Sequence, residues 1–224
     1  MSAESRRTLV LLRHAKSAYP PGVADHGRPL APRGEREAAL AGTWIARELP
    51  SIDRILCSTA ERTRQTAAMA GLTEPAALTA PTALTTPTAS TTPTAPTTPT
   101  TPTTPTTPTT PTAPTTRIAR TSEPVPSTPI TYTDDIYDAY PDELEDLIRT
   151  LDPAERTVVL VGHAPGLPGL AEDLAGSGSD AAALSRMRSK FPTSAIAVLT
   201  VDGEWTDVGR GATTALVDFV IPRS

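Results

Sequence analysis

The chain has 224 residues and a formal net charge of −5, with 20 Lys and Arg against 25 Asp and Glu, so it has no overall electrostatic reason to seek nucleic acid or an anionic membrane. A single cysteine, Cys57, rules out an internal disulfide and fits a reducing compartment. The first apolar run, Leu9 to Leu12, is too short for the core of an export signal or a membrane span, and a cytoplasmic protein is expected.

TLVLLRH, residues 8 to 14, is a continuous apolar run closed by Arg13 and His14, the pattern of a strand buried on both faces. After a loop rich in Pro, Gly and Asp, Pro32 opens a helix over PRGEREAALAGTWIARELP, with Ala39, Leu40, Thr43, Trp44 and Ile45 marking its apolar face and Pro50 its stop. IDRILC (52–57) is a short strand. STAERTRQTAAMAG (58–71) is a helix with Ser58 or Thr59 as N-cap and Gly71 as its breaker.

From about Thr79 to Thr116 the chain is almost wholly Thr, Pro and Ala. Proline removes backbone donors and threonine lacks the apolar bulk to repay ordering, so an extended, disordered segment with polyproline II character is expected. It reads as a linker, as an insertion in one loop, or as a glycosylated stalk, which the missing export signal disfavours. Catalytic residues are needed from both flanks, as argued below, which favours a single domain over 1–224 with 79–116 inserted in it.

Beyond the tract, PITYT (129–133) is a strand, PDELEDLIRTL (141–151) an amphipathic helix, and TVVLVGH (157–163) repeats the architecture of the opening run. A helix over about 166–175 follows. SAIAVLTV (194–201), EWTDV (204–208) and ALVDFVIP (215–222) are strand candidates, with Asp202-Gly203 as a hairpin turn. The sum is an α/β fold, a mixed sheet covered by helices on both faces.

Two buried-type strands each end in a histidine, His14 and His163. A lone histidine there is most often a hydrogen-bonded rim residue; two in one context, one beside Arg13, are different. Parallel strands place their C-terminal ends on one sheet edge, so the two imidazoles and a guanidinium converge there as an anion pocket. The strand-to-helix passage CSTAERTRQTA adds a helix N-terminus and Arg62 one turn inside it. Surface ion pairing is the ordinary fate of a helix arginine, and Arg64 suits it better.

RHA at 13–15, STAERTRQTA at 58–67 and VGHAPG at 161–166 resemble the histidine phosphatase superfamily, with its phosphoglycerate mutase-like α/β/α sandwich. RHAKS, RPLAPRG (28–34) and FPTSAIAV (191–198) are most similar to SixA-type phosphohistidine phosphatases. The resemblance implies His14 as nucleophile, Arg13 and Arg62 as phosphate clamps and His163 as the second pocket histidine. Arg62 rather than Arg64 falls on the R-x-x-Q-T pattern of the family.

Those roles agree with the chemistry. A neutral imidazole attacks phosphorus well, and neighbouring guanidinium groups disfavour protonating it. The same cations neutralise the phosphoryl oxygens, so no metal or other cofactor is expected. A rival set of His14, His26 and His163 around a metal is disfavoured by first-shell arginine, which repels cations.

Ala15 stands where many family members have glycine, a mark of the SixA-like subgroup. For the L-x-E glutamate that protonates the leaving oxygen in many members, this chain offers Ile136-Tyr137-Asp138. Asp138 is therefore the candidate general acid, with Asp134 and Asp135 as competitors and a solvated acidic loop as the plain alternative. Lys16 and Ser17 are candidate donors to the phosphoryl group, Lys16 equally a steering charge. Arg28 is a candidate substrate contact, loop packing being its default, and Cys57 is assigned no chemistry. The expected function is hydrolysis of a phosphohistidine, on a protein or a related phosphoryl substrate, through phospho-His14. A small-molecule phosphomonoesterase and a catalytically silent phospho-binding protein are the alternatives.

Overall fold

The computed structural model describes residues 6–73 and 128–222; the Thr/Pro/Ala tract expected to be a disordered insertion lies outside them. The described residues form one six-stranded sheet in the order β3-β2-β4-β1-β5-β6. The strands are β1 (Arg6–Arg13), β2 (Arg54–Ser58), β3 (Ile130–Thr133), β4 (Thr157–Gly162), β5 (Ile196–Asp202) and β6 (Thr213–Val220). β1 to β4 run parallel, while β5 is antiparallel to both β1 and β6, so the sheet is mixed. Strands from the two sides of the tract interleave: β4, from beyond it, pairs with both β1 and β2.

Alternation along β1 explains the layers. Leu9 and Leu11 enter a core with residues of α3 (Pro141–Arg149), α4 (Gly166–Asp173) and α5 (Ala181–Ser189). Val10 and Leu12 face the other way, toward Ala41 and Ile45 of α1 (Pro32–Glu48) and Ala67 of α2 (Glu61–Met69). The run is apolar without a break because both its faces are covered, and the result is an α/β/α sandwich.

Several local expectations differ from the structure. EWTDV is not a strand: Trp205–Asp207 is a single 3₁₀ turn. Trp205 plugs the core there, its indole N–H donating to the Glu155 carbonyl at 2.8 Å, and Arg7 reaches the Gly203 carbonyl and Glu204. Asp202-Gly203 therefore opens a longer connection rather than a two-residue hairpin, β6 starting only at Thr213. The inward face of α1 is Gly34, Glu37, Ala38, Ala41, Gly42 and Ile45, one step round from the expected stripe, with Ala39 and Thr43 exposed. Small residues let that face lie close on α2, and size rather than hydrophobicity decided it. The N-cap of α2 is Ala60, because Ser58 still belongs to β2, where its hydroxyl meets His163 Nε2. α5 was not anticipated: its inward stripe of Ala183, Leu184 and Met187 is short and set among Ala, Arg and Ser.

RPLAPRG has a structural task. Ala31 N–H donates to the Lys16 carbonyl at 2.8 Å and Leu30 N–H to Gln65 Oε1 at 2.7 Å. A Cβ on Gly34 would lie 2.1 Å from the Lys16 carbonyl oxygen, so only glycine lets α1 start against the backbone that follows His14.

Candidate active site

β1 and β4 are parallel neighbours in register at Arg13 and Gly162, which puts His14 and His163 side by side just past the strand ends. Their ring centroids are 5.2 Å apart at 47°. Both are buried, at 9% and 5% exposure. His14 Nδ1 lies 2.8 Å from the Ala15 carbonyl oxygen. A carbonyl only accepts, so Nδ1 carries the hydrogen and Nε2 is left with its lone pair.

The cations come from three elements. Arg13, at the end of β1, donates through Nη1 to the Phe191 carbonyl at 2.6 Å, which orients the guanidinium, and burial lowers its pKa. Arg62, in the first turn of α2, is buried, with Nη1 on the Asp25 carbonyl at 2.7 Å and Nη2 3.0 Å from Asp25 Oδ2. Arg28 Nη1 holds the other carboxylate oxygen of Asp25 at 2.6 Å and its Nη2 meets Ser17 Oγ at 2.5 Å. Arg28 also stacks on the exposed Tyr19 ring at 3.4 Å.

Desolvation by burial is the main reason that both imidazoles resist protonation. It brings His14 down to about 4, with further repulsion from Arg13, Arg62 and Arg28. His163 falls to about 3, by burial and then by repulsion from His14 and Arg62. Asp25 is held down at about 2, first by the Tyr137 hydroxyl at 2.8 Å and then by Arg28. The free pocket at neutral pH therefore holds two neutral imidazoles, three guanidinium groups and one carboxylate.

Stability should fall with acid in a defined window. Each histidine keeps its ordinary value of 6.5 in the unfolded chain but is depressed in the folded one, so between the two values only the unfolded chain binds the proton. Stability is lost as pH drops from about 6.5 toward 4 for His14 and toward 3 for His163, at most about 3 kcal/mol for His14 and about 5 kcal/mol for His163. Urea midpoints at pH 7 and pH 4.5 measure this; equal midpoints would contradict the depressed values. Asp25 adds its own acid sensitivity only below about 4.

The structure thus brings His14, Arg13, Arg62 and His163 together. Ser17 and Arg28 sit beside them but are joined to each other, while Lys16 is exposed, its ammonium 5.8 Å from the Tyr19 ring. Asp138 is exposed with a φ of 55°, and the side chain its loop sends inward is its neighbour Tyr137, 5.5 Å from His163 ring to ring. Arg64 lies outside the site over the Tyr132 ring at 4.8 Å. His26 Nε2 is 2.9 Å from Thr59 Oγ1 and its ring packs on Tyr137; Thr59 also bonds Asp134. Among the described residues no group of three or more His, Cys, Asp or Glu side chains is placed to hold a metal ion, and no helix is long and apolar enough to cross a membrane.

Asp25, which the sequence suggested only as part of the loop beside the pocket, and Tyr137 and Ser58, which it gave no part in the chemistry, are further members of the site. Asp25 sits three residues before Arg28, a spacing that permits their ion pair, but nothing in the sequence ties it to Arg62.

Residues 9–84 match the family model described as histidine phosphatase superfamily, branch 1. An uncharacterized protein of Mycobacterium tuberculosis is 39% identical over 213 residues, covering 95% of this chain and 100% of that protein. A solved structure described as a candidate phosphohistidine phosphatase SixA of Nakamurella multipartitia aligns with a TM-score of 0.67 at 28% identity, covering 98% of each chain. A second such SixA structure, from Agrobacterium tumefaciens, aligns with a TM-score of 0.60 at 24% identity, covering 96% of this chain and 99% of that one, a likeness of fold.

Proposed function

The chain belongs to the histidine phosphatase superfamily, and on that premise we propose that it is a phosphohistidine phosphatase working through a phospho-His14 intermediate. One observation carries the mechanism: the Nδ1–H of His14 is tied to the Ala15 carbonyl, which leaves the Nε2 lone pair of a neutral imidazole free beside Arg13, Arg62 and His163.

Nε2 of His14 attacks phosphorus while the bond from phosphorus to the substrate nitrogen breaks, and that nitrogen leaves with the bonding pair and takes a proton. Arg13 and Arg62 stabilise the equatorial oxygens, already oriented by the Phe191 and Asp25 carbonyls. Water then attacks phospho-His14, releasing inorganic phosphate and the neutral imidazole. His163 donates to the phosphoryl group in both steps. Asp138 is exposed in the free chain, and a protonated nitrogen leaves without a strong acid, which favours a P–N substrate over an alkyl phosphate. The two flanks of the Thr/Pro tract are taken as one catalytic domain, since β4 pairs with both β1 and β2.

Kinetics on a histidine-phosphorylated protein and on sugar phosphates test the reading. We expect kcat/KM at least tenfold higher for the phosphoprotein, with acid-labile phosphate trapped on His14. Preference for sugar phosphates would make the chain a general phosphomonoesterase, and phosphate binding without turnover would make it a binding protein.

A further inference from the structure

Ser58 ends β2 next to His163, and its side chain is fully buried. Its Oγ lies 2.9 Å from His163 Nε2 and accepts from the Ala60 N–H at 3.3 Å. The other ring nitrogen of His163, Nδ1, is buried without a hydrogen-bond partner. Burial keeps this ring neutral, so it carries one N–H, and which nitrogen holds it decides what the pocket offers an incoming group.

Two arrangements compete. With the hydrogen on Nε2, Ser58 Oγ accepts twice, its own hydrogen has no acceptor at full burial, and Nδ1 presents a bare lone pair that repels an anion. With the hydrogen on Nδ1, the Ser58 hydroxyl donates to Nε2 while still accepting from Ala60, and both are satisfied. One buried group is then left over, the Nδ1–H, and it is a donor. Buried polar groups are rarely left unpaired without a function, and the second arrangement leaves one rather than two. Its single orphan is of the kind that a phosphoryl oxygen completes.

We propose that Ser58 is a positioning residue whose hydroxyl holds neutral His163 as the Nδ1–H tautomer, so that Nδ1 donates to a phosphoryl oxygen bound beside His14. This rests on reading the pocket as a phosphoryl site. It assigns Ser58 a role through His163 rather than contact with the reacting atoms, in the way that a second partner fixes the tautomer of a functional histidine elsewhere. His14 and His163 thereby receive opposite duties from their hydrogen bonds. The Ala15 carbonyl leaves His14 a lone pair at Nε2; the Ser58 hydroxyl leaves His163 a hydrogen at Nδ1.

Nitrogen-15 imidazole spectra of the full chain at neutral pH, for wild type, Ser58→Ala and Ser58→Thr, test this directly, with inorganic phosphate as the titrant. We expect wild-type His163 to be protonated at Nδ1 and bare at Nε2, and Nδ1 to shift as phosphate binds. In Ser58→Ala that tautomer should be lost or mixed and phosphate affinity should fall roughly tenfold, while His14 keeps its own tautomer. Ser58→Thr retains the hydroxyl and should restore both readouts. Wild-type His163 protonated at Nε2, or an unchanged tautomer in Ser58→Ala, overturns the proposal. The expected tautomers with an Nδ1 that does not respond to phosphate would overturn the phosphoryl reading of the pocket and leave the Ser58–His163 pairing standing.

Discussion

His14→Ala should lower kcat by on the order of 10⁴ or more, because under the proposed mechanism it removes the attacking atom rather than a contributor to its surroundings. The loss should be in turnover more than in phosphate binding, since the groups that hold the anion are fixed without His14. Arg13 is oriented by the Phe191 carbonyl, Arg62 by Asp25 and His163 by Ser58. The same variant gives a second, independent readout. Folded His14 stays neutral down to about 4, so wild type forfeits stability in acid that the variant keeps. The variant's urea midpoint should therefore fall less between pH 7 and pH 4.5 than that of wild type, while its pH 7 value drops for the cavity left by a buried ring. Turnover near the wild-type rate would remove His14 as the nucleophile. A pH dependence of stability identical to wild type would remove the depressed His14 as one of its sources.

How far the site could be read in advance depends on the distance over which each interaction acts. TLVLLRH and TVVLVGH announce themselves locally, because a strand covered on both faces must be apolar at every position. Their shared parallel direction places the two histidines together, and Arg62 follows from the α2 pattern. Asp25 was hidden because its value to the site lies in Arg62, and no local pattern records that contact. Ser58 or Thr59 was read as the helix cap, and Ser, Thr and Asp at a strand-to-helix passage do favour capping. The helix starts later, with Ala60 at its N-cap, and the Ser58 hydroxyl, besides accepting from the Ala60 N–H, meets His163. Asp138 was chosen by its position in a pattern, yet its left-handed backbone turns the chain so that Tyr137 is the residue facing His163. EWTDV failed for a related reason: alternation predicted a strand, but a single tryptophan filling the core over Glu155 outweighed it. Such misses concern contacts between residues distant in sequence, while elements with a long apolar run or stripe were found; the short stripe of α5 was not.

Arg62→Ala should cost about 10²- to 10³-fold in kcat/KM, and Arg64→Ala, two positions away on the same helix, should stay within a few-fold of wild type. The contrast follows from where each guanidinium goes. Arg62 is buried on the pocket side with two donors committed to Asp25, whereas Arg64 covers the Tyr132 ring on the edge strand β3. Arg62→Lys should recover little, since a single ammonium cannot hold both the Asp25 carbonyl and its carboxylate while meeting a phosphoryl oxygen. Losing Arg62 also acts on the imidazoles. Its positive charge helps to push His14 and His163 down, so both pKa values should rise in Arg62→Ala. The acid limb of the kcat/KM profile, set in wild type by His14 at about 4, should then move to higher pH. A large rate loss with an unmoved acid limb would mean that Arg62 serves only to hold Asp25 and the loop behind it. Equal losses in the two variants would show that the clamp is not built from this face of α2.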